Sequence, residues 1–132
     1  MTLEDAIYNY LSGYAGLVPL VAQRVYPVIL PQTVTLPAVT FSRVSRVGES
    51  DLNGLAWSVA RFQFSCWAKK HTTATATAAQ VRAAFQDYQG VMGGSGGISV
   101  MGADVVNEVD LYSAETGIFH VAVDVKITHK GG

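Results

Sequence analysis

The chain has 132 residues, 49% of them hydrophobic and 14% charged, with a formal net charge of −1. A chain of this length buries about two thirds of the surface its unfolded form exposes, so residues 1–132 read as one domain that folds without metal or disulfide. The near-neutral charge excludes a dedicated nucleic-acid-binding module, which displays a basic face to displace counterions from phosphates, and the low charged fraction points to a surface covered by other protein.

Leu3, Ala6, Ile7, Tyr10, Leu11 and Tyr14 recur at helical spacing, so a helix is expected over about 3–15. Thr2 with Asp5 resembles a capping box, and Gly16 is a plausible stop. The stretch GLVPLVAQRVYP reads as a turn, a short helix admitted by Pro19 in its first turn, and an extended piece ending at Pro27. VILPQTVTLP follows as an extended surface loop. The opening MTLEDAIYNYL has acids where a secretion signal has bases, and no apolar run approaches a membrane span, so assembly in a cytoplasm is expected.

Residues 38–47, AVTFSRVSRV, are β-branched and partly alternating and predict a strand. VGESDLNGL supplies turn residues, with Asn53-Gly54 the strongest local signal, and a flexible loop is expected near 48–55. Across residues 56–68, Ala60, Phe62, Phe64 and Cys66 alternate with Trp57, Val59, Arg61, Gln63, Ser65 and Trp67. The first set suits the core; the second mixes polar residues with two tryptophans, as a surface that meets a partner does.

A second long helix is expected from TTATATAAQVRAAFQDYQGVM, capped by Thr72 or Thr73, with Ala78, Val81, Phe85 and Tyr88 on one face. The glycine-rich run QGVMGGSGGISVMG and the residues around it, about 90–103, read as a flexible connection. ISVMG is a short extended piece, ADVVNEVDLYSAE a strand, and the SAETG turn leads into the closing strand IFHVAVDVKITH. The order helix, short helix, strand, strand, helix, strand, strand predicts an α+β fold: an antiparallel sheet of about four main strands with two long helices packed on one face.

No catalytic, cofactor-binding or metal constellation emerges. The glycine run follows a helix and precedes a strand, the reverse of a phosphate cradle, and Ser99 stands where GxGxxG needs its last glycine. His71, His120 and His129 are too widely spaced for a recognisable metal motif. Cys66 lies on the apolar strand face, where a buried thiol is inert, and as the sole cysteine it forms no intrachain disulfide. A small enzyme or ligand-binding domain would need a polar pair on the inward face, and only Tyr10, Tyr14 and Tyr88 come near that description.

Charge is unevenly spread. No Lys or Arg stands between Arg82 and Lys126, where Asp87, Asp104, Glu108, Asp110, Glu115 and Asp124 all fall, while the first 82 residues lean basic. Such asymmetry suits either an idle surface or two complementary faces of a self-assembling subunit. The candidate interface residues are therefore Arg43, Arg46, Arg61, Trp57 and Trp67 on the basic part, with Glu49 and Asp51 in the first loop and Glu108 and Asp110 on the acidic part.

Six segments in order resemble the phage tail-completion family, also described as tail terminator or tail-to-head joining proteins of long-tailed phages. They are LEDAIYNYLSGYAGLVPLV, RVYPVILPQ at 24–32, LPAVTFSRVS from Leu36, ARFQFSCWA at 60–68, VRAAF at 81–85, and DLYSAETGIFHVAVDVKITH at 110–129. The resemblance implies a non-enzymatic α+β virion subunit that forms a ring, commonly a hexamer, at the head-proximal end of the tail. Its implied partners are further copies of itself, the tail tube protein and the head-tail connector, with DNA passing through the channel without sequence-specific binding. Another minor tail or tube subunit is the neighbouring alternative.

Overall fold

A computed structural model describes residues 1–50 and 56–131, with the side chains of residues 49, 50 and 56 outside that description. The elements are α1 (Leu3–Ser12), α2 (Val18–Val21), β1 (Val25–Pro27), β2 (Ala38–Ser50), β3 (Ala56–Ala68), α3 (His71–Phe85), β4 (Gly90–Met92), β5 (Ile98–Ser113) and β6 (Ile118–Lys130).

One sheet runs in the order β1-β2-β3-β6-β5-β4. This corrects the expected four-stranded antiparallel sheet. The four long strands do pair antiparallel, but two three-residue strands extend the edges, and β1 pairs with β2 in parallel, which makes the sheet mixed. The piece ending at Pro27 is thus an edge strand, where proline's missing N–H costs no ladder bond. Of the two expected long helices, α3 has 15 residues and α1 has 10.

The capping box forms as expected, with Thr2 Oγ1 accepting from the Asp5 amide and the Asp5 carboxylate accepting from the Thr2 amide, both at 3.1 Å. For α3 the expected threonine cap is absent. The helix starts at His71 after an extended Lys70, and the hydroxyls of Thr75 and Thr77 instead donate back to carbonyls of the preceding turn. It also ends sooner than expected, at Phe85, because Asp87 takes a φ of +61° and its amide donates to Ala103 O of β5.

Leu3, Ala6, Ile7 and Leu11 of α1 and Ala74, Ala78, Val81 and Phe85 of α3 join one core with one side of the sheet. Rows of that helix side run across four strands: Phe41, Phe64, Val123 and Glu108 in one, and Arg43, Phe62, Val125 and Val105 in the next. Phe62, Phe64, Val123 and Val125 are fully buried, so the alternation seen in β3 and β6 does point its apolar set at the core. Residues 90–103, read as a flexible connection, form β4, a turn at 93–97 and the start of β5, with Met92 and Ile98 buried.

Candidate interaction surfaces

The opposite side of the sheet carries no helix from the described residues, and its rows mix chemistry. Ala38, Trp67, His120 and Leu111 lie side by side, then Thr40, Ser65, Ala122 and Val109, then Ser42, Gln63, Asp124 and Asn107. Trp67 stacks on His120 with ring centroids 4.0 Å apart, and its indole N–H donates to Thr40 Oγ1 at 3.0 Å. Arg61 lies over Asp124 at 2.8 Å and shields it, leaving the carboxylate nearly buried and its second oxygen without a partner. Burial also pushes the His120 imidazole below its ordinary pKa, since a desolvated ring resists the charged form.

The expected interface residues fall into separate groups. Trp57, Arg61 and Trp67 share the open side of β3, but the two tryptophans stand at its opposite ends, ten residues or roughly 33 Å apart. Arg43 and Arg46 sit on the helix side at the β2 edge: Arg43 pairs with Glu4 and lies 5.4 Å over the Phe62 ring, while Arg46 donates to Ser58 Oγ. Glu108 and Asp110 occupy the same side at the β5 edge, held by Arg82 and His71 of α3. Glu49 pairs with Trp57 through its backbone position in the ladder, and Asp51, with the turn expected at Asn53-Gly54, lies outside the described residues.

Sequence reading placed His120 on the outward face of the sheet, as the ladder does, but missed Thr40 and Asp124 as parts of that face. The signal was present in β6, where His120 and Asp124 take the parity opposite to Val121, Val123 and Val125.

A groove of about 460 Å³ between α1 and β1 is open to solvent, and of its carboxylates Asp5 is spent on the helix cap and Glu4 on Arg43. Cys66 is fully buried with its thiol pushed upward by desolvation, and no cluster of three His, Cys, Asp or Glu suited to a metal occurs among the described residues. No described helix is long and apolar enough to cross a membrane.

The sequence pattern of the family described as tail completion protein gp17 matches residues 5–130. The chain belongs to that family. The match spans α1 to β6 and so takes in every element of the fold. The fold is similar to that of a chain in the solved structure titled "Virion of native gene transfer agent (GTA) particle", at 21% identity and a TM-score of 0.81. The similarity covers 98% of this chain and 96% of that one, so the two share a whole fold. No curated protein sequence matches the chain. Membership of the tail completion family makes this a structural tail protein.

Proposed function

We propose that the protein closes into a ring at the head-proximal end of a phage-type tail, ends tube polymerisation there and joins the finished tail to the head connector. The observation that carries this reading is the family match over residues 5–130. The role is geometric and non-enzymatic. Copies meet through heterologous contacts that close by rotation, and the two faces of the ring present different chemistry to tube and connector. A six-membered ring is what the family resemblance implies, with an axial channel that DNA crosses without base-specific contacts.

Two features support assembly. The exposed side chains include Val44, Val47, Val109, Leu111 and Tyr112, apolar groups on long strands with no described cover. The open sheet face also retains the unpartnered Asp124 Oδ1 and His120 Nε2, groups that gain from a donor or acceptor on a neighbour. Light scattering of the purified chain with and without tail tubes tests the reading. A ring that forms alone or on tube ends supports it; a monomer that never binds tubes refutes it.

A further inference from the structure

The two edges of the sheet are each covered over only part of their length. On one flank, β1 pairs with β2 at residues 39–41, and Val28 donates to Phe41 O, after which β2 has no outer partner among the described residues. On the other flank, β4 pairs with β5 at 98–100 and Gln86–Asp87 bonds the backbone at Ala103 and Val105, after which β5 has no outer partner among the described residues. Residues 43–48 and 107–113 are the open stretches, and every one of them is exposed. Unpaired edges of this length are templates for another strand.

We propose that the open edge of β2 in one copy pairs with the open edge of β5 in the next, so that the sheet continues from subunit to subunit. This rests on the ring reading above and adds how the ring is joined. Three observations choose a second copy as the occupant. Along the sheet β2 and β5 run antiparallel to each other, through β3 and β6, so a copy related by rotation adds an antiparallel pair. The open stretches are also complementary in charge, Arg43 and Arg46 on one and Glu108 and Asp110 on the other. Finally, all four residues lie on the helix side of the sheet, so a continued sheet brings the opposite charges to the same side of the joint.

The pairs these charges make within one chain do not oppose this. Arg43–Glu4 and Arg82–Glu108 are solvent-accessible ion pairs and His71–Asp110 is a solvent-accessible side-chain contact, all of which contribute little and exchange partners easily. Because β1 and β4 cap opposite ends of the sheet, joining the open stretches displaces neighbouring copies along the strand direction. A closed ring absorbs that displacement by inclining its strands to the axis, as barrels do.

Lysines on an edge strand block such pairing. The test uses one variant for each edge, Val44→Lys with Val47→Lys on β2 and Val109→Lys with Leu111→Lys on β5, all positions at least 42% exposed. In sedimentation across a concentration series, wild type assembles and each variant alone stays monomeric. An equimolar mixture of the two variants gives a species of twice the subunit mass that grows no further, because each partner offers one intact edge. Rings that form from both variants overturn the edge pairing while leaving the ring reading in place.

Hydrogen exchange on the wild-type assembly, in solution or on tail tubes if copies join only there, needs no variant. Amides within 43–48 and 107–113 slow at least tenfold on assembly, and unchanged exchange at both stretches overturns the proposal. A wild-type chain that neither self-associates nor binds tubes removes both readings.

Discussion

Trp67 of β3 stacks on His120 of β6 with the ring planes 17° apart, on a side of the sheet that no described helix covers. The pair is half-buried by its neighbours in the ladder. Trp67→Ala is therefore expected to cost about 2 kcal/mol in urea unfolding, below the roughly 3–5 kcal/mol of a full core truncation. Phe64→Ala, at a fully buried ring 4.6 Å from that of Phe85, reaches the upper range. Equal losses at the two positions would contradict the assignment of helix side and open side.

His129 is fully buried at the end of β6, with Nδ1 2.6 Å from Gly131 O and Nε2 without a partner. Burial, with smaller contributions from the nearby Arg46 and Arg43, lowers its pKa, and burial lowers that of His120 as well. The unfolded chain takes up protons near the ordinary histidine pKa of about 6.5, while the folded chain resists them until lower pH. Stability is thus complete above about pH 6.5 and falls as pH drops through that value. Melting temperatures from pH 8 to pH 5 should show the decline, and the His120→Gln, His129→Gln double variant should flatten it.

Gly93 and Gly94 both hold positive φ, +93° and +85°, but their surroundings differ. A Cβ on Gly93 would come within 2.7 Å of the Ala6 Cα of α1, whereas one on Gly94 meets nothing within 4 Å. Gly94→Ala is expected to cost about 1 kcal/mol from backbone strain alone. Gly93→Ala costs distinctly more, because α1 must also move. Chemical denaturation of the two variants decides it, and equal costs would mean that α1 does not seat against this turn.

Cys66 has no exposure, and burial raises its thiol well above the ordinary range. A maleimide reagent should leave it unmodified in the folded protein and label it stoichiometrically in denaturant. Labelling under native conditions would show that β3 opens locally.

The sequence made β3 and β6 readable because each carries a long uninterrupted alternation, and Ala60, Phe62, Phe64, Cys66, Val121, Val123, Val125 and Ile127 are all buried. Thr2 with Asp5 and the turn before Gly117, whose φ is +68°, were readable because capping and turn chemistry are local. β5 was hidden as one strand of 16 residues, since bulges between Val100 and Gly102 and between Val105 and Asn107 break its period of two. Strands of three residues, such as β1 and β4, have no periodicity to read, and the parallel pairing of β1 depends on contacts distant in sequence. The charge asymmetry pointed to Arg43, Arg46, Glu108 and Asp110, but only the ladder shows that they lie on one side of the sheet at its two opposite edges.

Negative-stain imaging of the purified protein mixed with tail tubes tests the central claim most directly. The account predicts closed rings of constant subunit number, each seated once at a single end of a tube. Protein spread along the tube wall, extension of the tube by this chain, or tubes with both ends bare would contradict it.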